Sequence, residues 1–248
     1  NMFNPFSLEN KNILVTGASS GLGVGIAIDC SKMGANMVVT ARNEERLNRT
    51  MRELEKANNF SIIADLVKDE DIEDLVEKVP VLDGVVLCAG VIKTMPVKNI
   101  KFDAIDEIFD INIISSIKLL KLLLKNKKLA FGASVVFISS VSTFNVKIGN
   151  SLYSATKGAV NSFAKVMALE VAKQKMRVNC IQPGFVPSNI LGQGVIESED
   201  YIRFYAERHP LGFGTRDDIG YACIYLLSDA ARWVTGSIFT IDGGYTLQ

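Results

Sequence analysis

The chain has 248 residues, 48% of them hydrophobic, and a formal net charge of zero. The length suits one large domain or two small ones, and the hydrophobic fraction is too high for a disordered chain. The neutral balance gives no support to nucleic-acid binding, and no apolar run is long enough to predict a membrane span. The start, NMFNPFSLEN, lacks the basic and apolar regions of a secretion signal, and Asn1 is excluded from the predicted domain.

Short apolar runs alternate with longer helical patterns along the chain. We predict strands in NILVTG, NMVVTA, FSIIAD, DGVVLCAG, ASVVFISS, MRVNCIQPG and GSIFTIDGG, with helices between them, a long one running through AIDEIFDINIISSIKLLKLLLK. Fully apolar strands that alternate with helices are typical of a parallel sheet covered on both faces. The sequence therefore predicts one doubly wound α/β domain over residues 2–248, whose ligands bind beyond the carboxyl ends of the strands.

The first strand ends in VTGASSGLGVG, where Gly17, Gly21 and Gly23 open a helix. Such glycines allow a tight turn and bring the backbone close to a pyrophosphate at the helix N-terminus. Their spacing differs from the general dinucleotide fingerprint, so this turn alone is weakly specific. It also lacks the Gly-Lys-Ser/Thr ending of a triphosphate loop, which argues against a kinase or ATPase.

The next two strands end beside candidate contacts for a nucleotide. Ala41 stands where an acid would bind the ribose of NAD, and Arg42 after it suits the 2′-phosphate of NADP; the alternative is that Arg42 is simply solvated. Ser19 and Ser20 offer hydroxyls near that phosphate but no second positive charge. We therefore expect a moderate preference for NADP(H), with NAD(H) possible. Asp65 is a candidate partner for the adenine amino group or a cap of the next helix.

The segment SLYSATKGAV places Tyr153 and Lys157 four residues apart, on one face of a helix. A nearby positive charge favours the phenolate and lowers the pKa of a tyrosine, so the pair suits proton transfer. Such a pair also arises by chance, and the context has to decide. Ser140, at the end of the fifth strand, could share a cleft with Tyr153, although most serines at strand ends only form turns.

Taken together, TGASSGLG, Asp65, CAG, Asn112 in DINI, Ser140, YSATK, RVNCIQPG and GSIFTIDGG resemble the short-chain dehydrogenase/reductase family, in the form typified by 3-oxoacyl-carrier-protein reductases. The resemblance covers essentially the whole chain and implies a Rossmann-type, NAD(P)-binding domain. It implies that Tyr153 is the general acid/base and that Lys157 lowers its pKa and binds the nicotinamide ribose. Ser140 would hold the substrate oxygen. Asn112 would keep a bend in its helix and position a water that relays protons from Lys157.

The resemblance also assigns cofactor contacts. They are Gly17, Ser19, Ser20, Gly21, Leu22, Gly23, Arg42, Asp65, Leu66, Ala89, Gly90, Tyr153, Lys157, Pro183, Gly184, Val186 and Ser188. Two positions depart from the family pattern. Leu87 and Cys88 replace an Asn-Asn pair, which puts the local stability of the fourth strand in doubt, and Ser188 replaces a threonine but keeps the hydroxyl. No metal site is predicted.

The remaining features give weaker expectations. His209 is interpreted as structural, since the acid/base role is already filled. Cys30, Cys88, Cys180 and Cys223 show no metal or disulfide pattern, and as buried, reduced thiols they favour a cytoplasmic location. The lysines of SIKLLKLLLKNKK are interpreted as the solvated edge of a core or interface helix, and the resemblance implies a homotetramer.

The substrate is the least determined part of the prediction. Residues 185–210 should form a substrate loop, with Ile190, Tyr201 and Phe204 as an apolar lid. The leading hypothesis is an NADP(H)-dependent oxidoreductase for a ketone or secondary alcohol, either a 3-oxoacyl-carrier-protein reductase or a keto-sugar reductase. An acidic carrier protein would need a basic patch, and the candidates are Lys125, Lys127, Lys128, Lys173 and Lys175. The alternative of another class is a non-catalytic dinucleotide-binding regulator. A nucleotide-sugar epimerase is disfavoured, because no second substrate domain follows.

Overall fold

A parallel sheet forms the centre of the fold. The computed structural model describes residues 3–55, 58–187 and 199–247. Within them the sheet has seven strands in the order β3-β2-β1-β4-β5-β6-β7, with every neighbouring pair parallel. The strands are β1 Asn12–Thr16, β2 Asn36–Ala41, β3 Phe60–Ile63, β4 Leu82–Leu87, β5 Leu129–Ile138, β6 Arg177–Pro183 and β7 Ile238–Ile241. The predicted doubly wound fold is thereby confirmed.

Helices cover both faces of the sheet. They are α1 Gly21–Lys32, α2 Glu44–Glu53, α3 Asp69–Lys78, α4 Phe102–Phe109, α5 Ser115–Lys125, α6 Ser151–Glu170, α7 Glu199–Ala206 and α8 Arg216–Leu227. Successive strand side chains enter opposite cores: Leu14 packs with α3, α5 and α6, whereas Ile13 and Val15 pack with α1 and α8. Each fully buried aliphatic side chain contributes about 1.5 to 3 kcal/mol, so an apolar residue is favoured at every position of such strands.

The order of the strands creates a crevice at the carboxyl ends of the central strands β1 and β4. The chain builds outward from β1 through β2 to β3, then crosses back to place β4 on the other side of β1. Ile13 of β1 is therefore in register with both Met37 of β2 and Gly84 of β4. The connections after β1 and β4 leave in opposite directions, and the space between them is where such folds bind ligands.

Three local features differ from the sequence prediction. The long helix expected through residues 104–125 is divided by a π-helical turn, Asp110–Ile114, between α4 and α5. Strand β5 begins at Leu129 rather than at Ala133. Cys88 is half-buried, while the other three cysteines are buried as expected. No helix in the described part of the chain is long and apolar enough to cross a membrane.

Candidate active site

The turn between β1 and α1 presents bare backbone to the crevice. Gly17 has a φ of +67°, and a Cβ atom there would lie 2.8 Å from the Cα atom of Ala89, after β4. A Cβ atom on Gly23 would lie 2.4 Å from the carbonyl oxygen of Gly17, so Gly23 lets α1 pack against its own turn. A side chain at either position would collide with backbone, and the crevice floor therefore stays open to a ligand.

The N-terminus of α1 points its positive end into this opening. Its N-cap is Ser20, whose side chain makes no capping hydrogen bond, and no acidic residue lies in the first turn. The first amide groups of a helix have no intrahelical acceptor and carry a partial positive charge. With Gly21 at a φ of +58° starting the helix, the geometry suits an anion such as a pyrophosphate.

Thr16 ties the end of β4 to the end of β1. Its buried hydroxyl oxygen accepts hydrogen bonds from the backbone amides of Cys88 at 3.1 Å and of Ala89 at 3.2 Å. Leu87 is buried in the core. The stability in doubt after the loss of the Asn-Asn pair is therefore supplied by a residue on the neighbouring strand, which the sequence prediction missed.

A groove runs from this turn toward the end of β2. We call it the arginine groove; its described lining includes Gly17, Ser19, Ser20, Leu22, Arg42, Arg46, Asp65, Leu66, Ala89 and Gly90. Asp65 does not cap α3, whose N-cap is Lys68; its carboxylate accepts from the amide of Val67 at 3.4 Å. All but two of the predicted dinucleotide contacts that precede β5 line the groove. The exceptions are Gly21 and Gly23.

The expectation of a single cation at this phosphate position is corrected. Arg46, one helical turn beyond Arg42, lines the same groove. Asn43 begins α2 by accepting a hydrogen bond from the Arg46 amide at 2.9 Å, which sets the helical register of the two arginines. Glu45 pairs instead with Arg49, and neither Arg42 nor Arg46 has an acidic partner within the described residues. The i, i+4 spacing of Arg42 and Arg46 in the sequence is the signal that predicts two cations on one side of the start of α2.

Asn112 lies at the centre of the π-helical turn and fastens it to the loop after β4. Its side-chain oxygen accepts from the amide of Val91 at 2.8 Å. Its side-chain nitrogen donates to the carbonyl of Val91 at 3.0 Å and to the hydroxyl oxygen of Thr156 at 3.1 Å. The helix is widened where this amide turns inward, as expected for a residue that maintains a bend. Asn112 thus connects β4, the π-helical turn and α6.

The second opening, which we call the tyrosine cleft, contains the predicted acid/base residues. Ser140, Tyr153 and Lys157 all line it, together with Pro183, Gly184 and Val186 after β6. Leu22, Cys88, Gly90 and Ile92 line both the tyrosine cleft and the arginine groove, so the two openings form one channel. The channel passes Gly90, where a Cβ atom would lie 3.3 Å from the side-chain oxygen of Asn112.

Lys157 is buried and its ammonium group is fixed on the strand side of the cleft. It donates to the carbonyl of Ile138 at 2.7 Å and lies 5.6 Å from the ring centroid of Tyr153. Burial lowers the pKa of Lys157 to about 8. Ser140 accepts from the amide of Ser142 at 3.1 Å, which orients its hydroxyl at the start of a short turn.

The pKa of Tyr153 is dominated by its surroundings. Burial raises the pKa of Tyr153 to about 12, and a hydrogen bond with the Ser140 side chain opposes this rise. In the chain without ligand, therefore, desolvation outweighs any acidifying effect of the lysine. A phenol with this pKa is a proton donor whose conjugate base needs further stabilisation. The expectation that Lys157 lowers the pKa of Tyr153 is therefore corrected for this structure, where the pKa lies above the ordinary value of a tyrosine.

An aromatic cluster forms the outer wall of the tyrosine cleft. Tyr205 stacks on Phe185 at 4.8 Å, and His209 stacks on Tyr245 at 4.5 Å. Buried His209 bonds to the carbonyl of Tyr205 at 2.6 Å through Nδ1 and accepts from the amide of Phe185 at 3.3 Å through Nε2. Because both ring nitrogens make structural contacts, the interpretation of His209 as structural is supported.

Part of the predicted lid lies outside the described residues. Ser188 and Ile190 belong to that part, and the Tyr201 side chain is not described either. Phe204 is half-exposed beneath the guanidinium of Arg208. Lys147 and Tyr245 are among the cleft residues that the sequence prediction missed, and Tyr205 lies in the predicted substrate loop without having been singled out. The three come from separate segments, and no local pattern brings them together.

Known proteins match the chain over almost its whole length. The family model described as enoyl-(acyl carrier protein) reductase matches residues 17–246. An uncharacterized oxidoreductase of Methylorubrum extorquens is 34% identical over 96% of this chain and 98% of its own. The chain belongs to the short-chain dehydrogenase/reductase family. It is therefore an oxidoreductase of the NAD(P)-dependent class that interconverts hydroxyl and carbonyl groups.

Two further similarities come from proteins with more specific descriptions. A 3-oxoacyl-[acyl-carrier-protein] reductase of Rickettsia felis is 29% identical and covers 96% of this chain and 97% of its own. A crystal structure from Agrobacterium tumefaciens, provisionally described as a 2-deoxy-D-gluconate 3-dehydrogenase with bound NADP, is 30% identical. It has a TM-score of 0.88 over 99% of this chain and 100% of its own.

Proposed function

We propose that the protein is an NADP(H)-dependent oxidoreductase that uses Tyr153 as the general acid/base toward a ketone or secondary alcohol. The observation that carries this proposal is the single channel with two arginines at one end and Ser140, Tyr153 and Lys157 at the other. The bare backbone at Gly17 and the uncapped N-terminus of α1 lie between these ends, where a pyrophosphate would fit.

Bound nicotinamide would supply or accept the hydride at the substrate carbon. Tyr153 donates its phenolic proton to the carbonyl oxygen during reduction and takes it back from the alcohol in the opposite direction. Ser140 would donate a hydrogen bond to the same substrate oxygen in place of its present hydrogen bond with Tyr153, while the serine oxygen still accepts from the Ser142 amide. The high pKa of Tyr153 favours keeping the proton until substrate oxygen becomes basic.

Lys157 and Asn112 would support proton return to Tyr153. The Lys157 ammonium stabilises the developing phenolate, which opposes the effect of burial. Both amide hydrogens of Asn112 are engaged, but its oxygen has a second lone pair and faces the Gly90 side of the channel. We propose that this lone pair holds the water that relays protons from Lys157.

The proposed preference for NADP(H) rests on charge. Two guanidinium groups line the groove beside Ala41, where no carboxylate would repel a phosphate. We also propose that the other cofactor contacts assigned in the sequence analysis, Ser188 among them, bind the same dinucleotide.

Two substrate classes are candidates, a 3-oxoacyl group on a carrier protein and a keto sugar. The Rickettsia relative supports the first and the Agrobacterium structure supports the second. For a carrier protein, the basic patch is weaker than its composition suggests. The Lys128 ammonium donates hydrogen bonds to the backbone carbonyls of Glu77 at 2.9 Å and Val79 at 2.7 Å, which hold it against the protein. A cytoplasmic location and a homotetrameric state also remain proposals.

The experiment is to follow NADPH oxidation by the purified protein with a 3-oxoacyl thioester, on carrier protein and free, and with keto sugars. We expect turnover with at least one class, supported by NADPH more strongly than by NADH. A protein that binds NADPH but reduces no member of the panel in either direction would be the non-catalytic regulator instead.

A further inference from the structure

The tyrosine cleft has an uneven charge. Among its described lining residues the charged side chains are two lysines, Lys147 and Lys157, and none is a carboxylate. Lys157 is engaged by the Ile138 carbonyl and by its proposed role beside Tyr153. The cleft thus holds a second cation that the proton-transfer machinery does not use.

Lys147 comes from the connection between β5 and α6, and its ammonium group is held at the cleft wall. The residue is exposed overall, but its nitrogen lies 3.9 Å from the ring centroid of Tyr205 and 5.5 Å from that of Tyr245. The nitrogen also bonds to the hydroxyl of Tyr205. These contacts fix a flexible side chain in one direction, and partial burial lowers the pKa of Lys147 to about 8.

No acidic side chain neutralises Lys147 within the described residues. An adjoining outer cleft is lined by Lys147 together with Glu207 and Arg208. Arg208 bonds to the carbonyl of Phe204 at 3.2 Å and stacks on its ring, and among the described residues Glu207 forms no ion pair with Lys147. Aromatic faces attract a cation but do not replace a counter-ion. A cation placed this way inside a substrate cleft gains most from an anion that arrives with the substrate.

We propose that Lys147 is the subsite for a carboxylate of the carbonyl substrate, so that the protein prefers oxo acids over neutral ketones of the same size. The inference rests on the proposed function, because it takes the tyrosine cleft as the place where the carbonyl binds. The Tyr153 and Ser140 hydroxyls would meet the carbonyl oxygen at the inner end. Lys147, at the junction with the outer cleft, would meet the carboxylate.

The test compares matched substrates in matched variants. The probes are 4-oxopentanoate and 5-oxohexanoate, each beside its primary amide, and a 5-keto aldonate beside the corresponding neutral keto sugar. The variants are Lys147→Met, which keeps the stem but removes the charge, and Lys147→Arg, which restores a charge. Lys78→Met removes an exposed charge at the end of α3, a helix that contributes no residue to the described lining of the cleft. Steady-state kinetics with NADPH are measured for each, and calorimetry of the acid and amide probes with the NADP⁺ complex gives binding without turnover.

We expect the wild type to prefer at least one acid over its neutral partner by about ten- to a hundredfold in kcat/KM, the range of one charge-assisted hydrogen bond. Lys147→Met should raise KM for the acid toward that of the amide with kcat little changed. Lys147→Arg should recover most of the loss, and Lys78→Met should behave as wild type. Equal use of acids and amides by wild type and Lys147→Met would overturn the carboxylate subsite while leaving the oxidoreductase intact. If no probe is turned over, the calorimetric difference between acid and amide still decides for or against the subsite. A preference for thioester substrates that is insensitive to Lys147→Met would also overturn it.

Discussion

The arginine groove and the tyrosine cleft are built from different kinds of sequence information. The groove is assembled mainly from short segments that follow consecutive strands, from Gly17 after β1 to Gly90 after β4. The outer wall of the cleft combines Lys147, Phe185, Tyr205 and Tyr245, which are distant in the chain. If the proposed function holds, the cofactor site is thus encoded by local motifs, whereas the substrate site depends on tertiary packing.

The inner end of the tyrosine cleft should give the largest functional effect. We expect Tyr153→Phe to lower kcat by about 10²- to 10⁴-fold, the usual contribution of a general acid, while NADPH affinity stays within a few-fold of wild type. The ring is kept, so the packing around it should survive. Stopped-flow turnover and fluorescence titration of NADPH measure the two quantities. Near-normal turnover of Tyr153→Phe would mean that Tyr153 is not the general acid and that the tyrosine cleft is not the reaction site.

Lys157 should show that burying a charge at the inner end of the tyrosine cleft lowers the stability of the fold. Its folded-state pKa is about 8, against 10.5 for an unburied lysine. Below pH 8 Lys157 is protonated in both states, and the folded state bears the cost of burying the charge. Between pH 8 and 10.5 Lys157 is protonated only in the unfolded chain. Folding stability should therefore rise with pH across that window, by about 3 kcal/mol in the limit.

The test is urea unfolding of wild type and Lys157→Met from pH 6.5 to pH 10.5. We expect the variant to be more stable at low pH by about 1 to 3 kcal/mol, since it also loses the hydrogen bond to the Ile138 carbonyl. The gap should close as the pH rises, and other titrating groups cancel in the difference. A gap independent of pH would mean that the ammonium is solvated. The same variant should lose NADPH affinity and turnover.

Arg42 and Arg46 test whether the arginine groove binds the additional phosphate of NADPH. Arg42→Met and Arg46→Met should each weaken NADPH binding by about tenfold and leave NADH almost unchanged, because only NADPH carries the additional phosphate. Arg52→Met, on the same helix but outside the groove lining, is the matched control. The double variant Ala41→Asp with Arg42→Ala should shift the binding preference toward NADH, but only in part, because Arg46 still attracts the additional phosphate of NADPH. Equal loss for both cofactors would reassign the arginines to surface charge.

These contrasts explain what could be predicted from the sequence. Strand positions and the glycine turn follow from apolar runs and from backbone approaches that only glycine allows. The cavity wall around Lys147 could not be predicted, because Tyr205 and Tyr245 meet it only after folding. A bend at Asn112 was expected from the family resemblance, but its π-helical form could not be predicted from the pattern of residues, for a related reason. Its cause is the contact of Asn112 with Val91 and Thr156, which helical periodicity does not register.

The last prediction concerns stability rather than function, at Thr16, which compensates for Leu87 and Cys88 at the border of the two regions. Thr16→Val keeps the shape but removes the acceptor for the Cys88 and Ala89 amides, and a buried unpaired donor costs about 1 to 3 kcal/mol. We expect a loss of about 2 kcal/mol in the free energy of unfolding, near the middle of that range, since these amides are only partly buried. Thr16→Ser should retain most of the stability because its hydroxyl can accept the same bonds. Unfolding in urea at neutral pH measures both variants, and NADPH affinity should fall for the valine variant because Ala89 lies against Gly17. If valine and serine prove equally stable, the β4 end is held by core packing of Leu87 instead, and the hydroxyl does not compensate for the missing asparagines.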